Sequence, residues 1–402
     1  MNENKKTPLL QQIAAVLFFR LLLNTGRRFV YPFAPAFSRG LDVPLSAITA
    51  ILATCQVTSL IGLFSGPLAD RYGYRTMMRI GLGLLASGML LCGLATGYWW
   101  IFFGLVVASL GKIVFDPAIQ AFIGRQVPFE KRGRVIGVVE TAWAGSTLVG
   151  IPILGLCIEH LGLASTFWFL ALFGAVGWLA VTWVIPADVS DPGRDQGGMR
   201  IFAALPLLFR IRPAAGMLLF GFFISIANDS LFVVYGAWFE QAFLTNIATL
   251  GFSTVTIGVA ELLGESLTAV FADKLGLKRT TILGLCLASC SYCLLPVIGN
   301  SLPAAMVGVF LVFLTFEFTI VTSFSLSTEL LPEARATMMA GFYATSGVGR
   351  MIGVLLGGWL WQMGGITVVA WTSSGLTVLG LLSLIWGLRD WRPKGPVVPI
   401  SG

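Results

Sequence analysis

Apolar residues run along this chain in stretches of about 20 to 28 residues, separated by short segments rich in glycine, proline and charge. Six stretches lie near residues 10–37, 44–67, 77–97, 99–124, 134–158 and 164–185. Another six lie near residues 214–238, 247–271, 279–299, 303–327, 336–361 and 366–388. Because a helix needs about 20 apolar residues to cross a bilayer, the pattern predicts twelve membrane-spanning helices, numbered here span 1 to span 12.

The longest polar segment separates the two sets of spans. It extends from Pro186 to Pro213 and is interrupted by charged residues and glycines. We therefore predict a six-helix bundle over residues 1–185, a cytoplasmic linker over 186–213, and a second six-helix bundle over 214–402 that ends in a short tail.

The composition favours an all-α membrane protein over a soluble fold. Of the 402 residues, 56% are hydrophobic and 11% are charged, whereas soluble domains carry about 25% charged residues. The chain has no nucleotide-binding loop, no nucleophile–histidine–acid set and no paired-cysteine metal pattern, and its one histidine, His160, falls in a short loop. We therefore expect no enzyme activity, no metal and no cofactor.

The basic residues indicate how the spans are oriented. With the amino terminus inside, 20 of the 26 Lys and Arg residues fall in or beside cytoplasmic segments, five lie within spans, and only Arg39 lies outside. Because short basic segments stay on the cytoplasmic side, both termini are predicted to be cytoplasmic. The net charge of +7 is thus a signal of topology, and no nucleic-acid partner is expected.

The two halves repeat in sequence. The acid, base, glycine and base of the loop after span 2 recur 203 residues later, after span 8: Asp70, Arg71, Gly73 and Arg75 match Asp273, Lys274, Gly276 and Lys278. The loop after span 4, with Pro128 and Arg132, is echoed after span 10 by Pro332 and Arg335. Both loop pairs lie on the same predicted side, so the halves are related without inversion, by an axis along the membrane normal.

The segment Gly66-Pro67-Leu68-Ala69-Asp70-Arg71-Tyr72-Gly73-Tyr74-Arg75 resembles the signature loop of the major facilitator superfamily. The spans and the repeat extend this resemblance over nearly the whole chain. The resemblance implies that the loop is a gating latch, in which an acid beside the positive end of a helix stabilises one of two packings. It assigns gating to Asp70, Arg71, Gly73, Arg75, Asp273 and Lys274. The alternative is a basic loop that only sets the topology.

Span 5 loosely resembles the glycine- and proline-rich helix of exporters in this family, through Gly145, Gly150, Pro152 and Gly155, although small residues also simply allow close packing. The segments at 227–229, 235–238 and 259–265 resemble bacterial efflux-type members. The resemblance implies a monomeric exporter of the bacterial inner membrane that handles a small molecule and protons. Span 4 departs from the family, because Val107 stands where an arginine tied to proton coupling is common.

Ionisable residues inside the spans mark the expected pathway, since each costs at least a few kcal/mol in a bilayer. The interiors of spans 3, 6, 9 and 12 contain none, which agrees with the outer, lipid-facing positions that the resemblance implies for them. The other spans carry Arg20, Arg27, Arg28, Lys112, Asp116, Glu140, Asp229, Glu261, Glu265, Glu317 and Arg350.

The bases of spans 1 and 4 predict a site for an anionic or amphiphilic substrate. Arg20 and Arg27 are seven residues apart, two turns on nearly the same face, and guanidinium groups suit carboxylate or phosphate. We expect substrate contacts from Arg20, Arg27, Arg28, Lys112, Trp143 and Tyr235. For Arg28 and Arg350 the open alternative is a gate-closing salt bridge, for Lys112 a pairing with Asp116, and for the aromatic residues an anchor at the membrane interface.

Asp229, Glu261 and Glu265 form the group predicted to carry a coupled proton. Glu261 and Glu265 are four residues apart on one face of span 8, and two carboxylates so close in a low dielectric disfavour double ionisation. The alternative is that one of them hydrogen-bonds a neighbouring helix permanently. Coupling would then fall to Asp116, Glu140 or Glu317.

The sequence therefore predicts a proton-coupled secondary transporter that works by rocking two halves around a central site. An uncoupled facilitator or lipid flippase stays open as the alternative, because span 4 lacks the family's arginine. A membrane sensor or enzyme is the alternative hypothesis from a different functional class.

Overall fold

The computed structural model describes residues 8–62, 71–94, 97–187, 208–331 and 334–391, and these are almost entirely helical with no strand among them. Helix numbers follow the predicted spans. In the first half, α1 is Leu9–Arg28 continued by Val30–Gly40, α2 is Leu45–Val57 followed by a 3-10 turn at Thr58–Ile61, α3 is Tyr74–Leu94 and α4 is Tyr98–Gln126. Helix α5 comprises Phe129–Glu140, Ala142–Gly145, a π-helical turn at Ser146–Gly150 and Ile151–Leu161, and α6 is Ala164–Val184.

The second half follows the same order. Helix α7 is Arg212–Phe243, α8 is Ile247–Leu275, α9 is Leu277–Ile298 and α10 is Leu302–Leu330. The last helical segment, Arg335–Gly387, has non-helical backbone at Gly364 and Gly365. We call the part before this break α11 and the part after it α12.

Ten helices in the described ranges are long and apolar enough to cross a membrane, and Leu45–Ile61 is a shorter apolar helix. One of the ten contains both α11 and α12. The predicted class, an all-α membrane protein built from two helical bundles, is confirmed, and the helices are consistent with twelve spans. Most of the predicted linker lies outside the described residues, and α7 begins at Arg212, inside its last two positions.

The sequence explains where the helices bend. Pro32 has no backbone N–H and cannot donate to the carbonyl of Arg28, so α1 is interrupted at Phe29. The π-helical turn of α5 lies where the exporter-like glycines and Pro152 were noted, and such turns are common at functional sites.

Helices α6 and α12, which contain no charged residue, have large apolar side chains facing outward, as expected. Helix α6 exposes Trp168, Leu172 and Trp183, and α12 exposes Trp371, Leu382 and Trp386. Large apolar side chains that face outward in a chain of this composition cover a lipid-facing surface.

The two halves pack against each other at the end where α1 and α7 finish, which we call the closed end. There Arg39 Nη1 lies 2.7 Å from Glu240 Oε2, and the Ala248 N–H donates to Glu159 Oε2 at 3.3 Å. Gly236 is required on α7, because a Cβ there would collide with the carbonyl oxygen of Pro32. One apolar core includes residues of both halves, whereas a second core, around Phe220 and Phe342, belongs to the second half.

Candidate functional site

A narrow cavity of about 20 Å³ lies between the two halves. Polar and aromatic side chains of both halves line it. The first half provides Arg27, Arg28, Tyr31, Gln56 and Trp143, and the second provides Asn228, Asp229, Phe232, Glu261, Phe313, Phe316 and Arg350. Convergent polar groups on apolar walls are the usual lining of a small-molecule site. Because about 20 Å³ has room for about one water, a larger ligand requires the two halves to move apart.

A buried ion pair joins the halves in this cavity. Arg28 Nη2 lies 2.5 Å from Glu261 Oε1, and the two side chains are 5% and 2% exposed. The Thr147 hydroxyl donates to Glu261 Oε2 at 2.9 Å. Arg28 Nη1 donates to the Ser146 hydroxyl at 3.1 Å and to the Trp143 carbonyl at 3.0 Å. Because each partner would be a stranded buried charge without the other, this pair resists separation.

The π-helical turn of α5 presents Ser146 and Thr147 to this ion pair. Helix α8 packs directly on the turn: the Thr254 hydroxyl donates to the Thr147 carbonyl at 2.9 Å. A Cβ at Gly258 would lie 2.9 Å from Thr147 Oγ1, so the approach requires a glycine. The position of the Thr147 hydroxyl, which donates to Glu261, therefore depends on the packing of α5 against α8.

A second connection between the halves runs through neutral groups. Arg27 Nη2 donates to Gln56 Oε1 at 2.7 Å and to the Ser59 hydroxyl at 2.8 Å. Gln56 Nε2 donates to the Tyr31 hydroxyl at 2.6 Å, and that hydroxyl donates to Asp229 Oδ1 at 2.8 Å. This series of hydrogen bonds therefore links Arg27 of α1 to the carboxylate of Asp229 on α7.

Asp229 and Arg350 are only loosely paired. Arg350 Nη1 lies 3.8 Å from Asp229 Oδ2, beyond hydrogen-bond distance. Neither Asp229 Oδ2 nor Arg27 Nη1 has a hydrogen-bond partner within the described part of the chain, although both atoms are buried. One hydrogen-bond acceptor and one donor on this side of the cavity therefore remain without a protein partner among the described residues.

Trp143 lies in the cavity and contacts cations of both halves. Its ring centroid is 4.1 Å from the Arg28 guanidinium, 5.7 Å from Lys112 Nζ and 5.8 Å from the Arg350 guanidinium. Cation–π attraction of this kind is strengthened where water is excluded. The tryptophan therefore holds its neighbouring cations in place as well as forming a wall.

Arg20 and Lys112 belong to a separate cluster inside the first half. Arg20 Nη2 lies 2.8 Å from Glu140 Oε2, and its Nε lies 3.4 Å from Asp116 Oδ1. Lys112 Nζ lies 2.5 Å from Asp116 Oδ2. None of these four residues is among those that line the cavity, so the structure does not bring Arg20 and Arg27 into one site.

The remaining predicted residues lie beside the cavity or away from it. Glu265 is half-buried one turn after Glu261 on α8. Glu317 is buried on α10, where Gly264 of α8 packs against it. The hydroxyl of Tyr235 bonds that of Ser253, and the ring is buried in the shared core.

The gating residues can be placed only in part. Asp70 lies outside the described residues, as does the side chain of Asp273. Arg71 and Lys274 are exposed. Gly73 and Gly276 both adopt positive φ, at 86° and 79°, just before α3 and α9. The repeat extends to contacts: Arg75 donates to the Thr182 carbonyl near the end of α6, and Lys278 donates to the Leu388 carbonyl after α12.

Sequence reasoning did not single out the neutral residues of the site. Tyr31, Gln56, Asn228, Phe232, Phe313 and Phe316 line the cavity, and Ser146 and Thr147 support the ion pair. The available signal was weak: Gln56 and Asn228 are amides inside apolar spans, which mark either helix packing or a pathway.

Comparisons with known proteins cover most of the chain. The sequence model described as Major Facilitator Superfamily matches residues 16–233 and 217–401. "Uncharacterized MFS-type transporter YceJ" of Bacillus subtilis is 25% identical over 76% of this chain and 77% of its own length. "Multidrug resistance protein MdtH" of Citrobacter koseri is 24% identical over 84% of each chain. The crystal structure of "peptide transporter POT in complex with sulfate" superposes with a TM-score of 0.76 at 14% identity, covering 94% of each chain.

Proposed function

The chain belongs to the Major Facilitator Superfamily, and we propose that it exports a small anionic or amphiphilic molecule by alternating access, driven by protons that move inward. In this proposal both termini are cytoplasmic, the membrane is the bacterial inner membrane, the protein is a monomer, and the closed end faces outward. Relatives with the printed names "Multidrug resistance protein MdtH" and "Multi-drug resistance efflux pump PmrA homolog" support the export direction.

The buried pair of Arg28 and Glu261 carries the proposal. It is 2.5 Å long, almost fully buried, and formed between the two halves that would have to separate. A proton on Glu261 would remove the charge that holds Arg28 and would weaken the closed packing. Proton binding and opening of the closed end are then linked, because each favours the other.

We assign the coupled proton to Glu261 together with Asp229 and Glu265. Asp229 and Glu261 are the two acids that line the cavity. Glu265 lies one turn further along α8, which would let it exchange a proton with Glu261. Asp116, Glu140 and Glu317 remain secondary candidates, because two of them are already paired with Arg20 in the first half.

The proposed gates act in the cavity and at the end opposite the closed end. Arg350 contributes through its loose contact with Asp229. At the opposite end we assign the latch to the repeated loops, with Asp70, Arg71, Gly73 and Arg75 in the first half and Asp273 and Lys274 in the second. The matching backbone contacts of Arg75 and Lys278 support this symmetry.

Everted membrane vesicles provide the transport test. Respiration acidifies the lumen of these vesicles. An exporter should therefore carry its substrate into the lumen and protons out of it, and an acridine dye reports the loss of lumenal protons. We expect this response for members of an anionic and amphiphilic panel, and its loss in Glu261→Gln. The control variant is Asp390→Asn, which removes an exposed acid paired with Arg212. Transport of a panel compound that ignores the proton gradient would contradict the coupling.

The uncoupled facilitator is the second candidate. Val107 and the pairing of Lys112 with Asp116, at 2.5 Å, favour it, because helix α4 then lacks an unpaired base for proton exchange. A facilitator would show flux down a substrate gradient in the same vesicles with no dye response, in both the parent protein and Glu261→Gln.

A further inference from the structure

We infer that the residues lining the cavity bind a monoanion carrying a flat aromatic ring once the two halves move apart, with the anionic group held between Arg27 and Arg350. This inference rests on the transport function proposed above and names the chemical class of its substrate. It moves the recognition of the anion away from Arg20, which is held by Asp116 and Glu140.

The charges that line the cavity do not balance. Three guanidinium groups line it, those of Arg27, Arg28 and Arg350, but only two carboxylates do, those of Asp229 and Glu261. Arg28 and Glu261 neutralise each other at 2.5 Å. Among the lining residues the two remaining arginines share one carboxylate, which leaves one excess positive charge there, and the further buried acid nearby is Glu317 on α10. Such a charge is costly unless a counter-charge is supplied.

Arg27 is the arginine that lacks an acid. Its described hydrogen bonds go to neutral groups, Gln56 and Ser59, and both are made by Nη2. Its Nη1 is buried without a hydrogen-bond partner in the described ranges. A guanidinium with one nitrogen hydrogen-bonded and the other unpaired has a donor left for an anion, and charge-assisted bonds to carboxylate are strong and directional.

Arg350 lies on the other side of the same cavity and is available for exchange. Its side chain is 27% exposed, and its 3.8 Å contact with Asp229 is too long for a hydrogen bond. An incoming anion can therefore attract Arg350 without breaking a strong bond. Because Arg27 belongs to the first half and Arg350 to the second, the anion would contact both halves.

The walls of the cavity select for an aromatic body. Trp143, Phe232, Phe313 and Phe316 line it, and Tyr31 stacks on Phe232 with ring centroids 4.7 Å apart. Offset stacking and edge contacts favour flat rings over compact polar ions. A cationic amphiphile would meet the excess positive charge, and a small inorganic anion would leave the aromatic walls uncovered.

Three naphthalene derivatives of one shape test the inference: naphthoate, the neutral naphthamide and the cationic naphthylmethylammonium, with sulfate as a ringless anion. Binding to the purified full-length protein is followed by the rise in its unfolding temperature. Naphthoate is expected to bind about 10-fold or more tightly than naphthamide, as charge-assisted hydrogen bonds require. Sulfate and the cation are expected to bind more weakly than naphthoate.

Variants locate the anion. Arg27→Gln and Arg350→Gln are expected to abolish the preference for naphthoate over naphthamide, whereas the exposed Arg212→Gln retains it. Arg27→Lys keeps the charge but loses the fork, so an intermediate preference is expected. If Arg27→Gln does not fold, the inference is tested by the preference for naphthoate over naphthamide in the parent protein, in Arg27→Lys and in Arg350→Gln.

Equal binding of acid and amide, tighter binding of the cation, or no binding of any probe would overturn the inference. Binding of naphthoate without any transport would instead contradict the transport function and leave this site standing. Proton-driven transport of another compound, with no binding of naphthoate, would overturn the site alone.

Discussion

Arg27 and Arg28 are neighbours on α1, yet their guanidinium groups connect to different acids of the second half. Consecutive helical residues point about 100° apart. Arg28 reaches Glu261 directly at 2.5 Å, and Arg27 reaches Asp229 through Gln56 and Tyr31. One turn of one helix therefore makes two connections across the interface, and each ends on a carboxylate that can change its charge.

The direct connection predicts a coupling between Arg28 and Glu261 in stability. Arg28→Gln leaves a buried unpaired carboxylate, so we expect the free energy of unfolding in detergent to fall by about 3–5 kcal/mol. Adding Glu261→Gln should restore part of this loss, because it removes the unpaired buried charge.

The exposed pair of Arg212 and Asp390 is the control for that cycle. It has the same chemistry at 2.9 Å with side chains 40% and 77% exposed, and surface pairs contribute about 0–1 kcal/mol. If the losses from Arg28→Gln and Glu261→Gln simply add, the two residues do not act as a pair.

The close contact of Gly236 with Pro32 predicts that a single methyl group opens the closed end. In Gly236→Ala the added Cβ would collide with the Pro32 carbonyl oxygen, so the open arrangement should gain population. Spin labels at Leu161 and Leu244, in a background without the six native cysteines, report the separation of the halves there. Both positions are exposed at the closed end, one in each half.

Gly375→Ala is the matched control, because a Cβ at Gly375 meets no atom within 4 Å. Alanine at an open helical site should be neutral or stabilise by up to about 1 kcal/mol. A label distance in Gly236→Ala that equals those of Gly375→Ala and the parent protein would show that the contact does not limit opening.

The sequence was most informative about the fold where apolar length alone decides the outcome. Span 4 was expected near 99–124 and is Tyr98–Gln126, and span 10 was expected near 303–327 and is Leu302–Leu330. The interruption of α1 at Phe29 and the π-helical turn of α5 were not predicted. Both features depend on which backbone carbonyls lose their hydrogen-bond donors and on how neighbouring helices pack. The length of an apolar stretch carries no information about either.

The sequence predicted which charged residues line the site, and it did not predict which of them pair with each other. Every charged residue that lines the cavity belongs to the set flagged within the spans. The helical spacing of Arg20 and Arg27 suggested a shared site, but the rotation and depth of α2, α4 and α5 give each arginine different neighbours. Gln56 and Tyr31 are neutral, so nothing in the charge pattern indicated their place between Arg27 and Asp229.

We propose that a proton on Glu261 releases the two halves at the closed end. The measurement is the distance between labels at Leu161 and Leu244 as the pH is lowered. We predict a shift toward longer distances in the parent protein and in Asp390→Asn. Glu261→Gln should show the long distances at every pH. A parent protein whose distances ignore pH, or a Glu261→Gln variant that still responds fully, would contradict the claim.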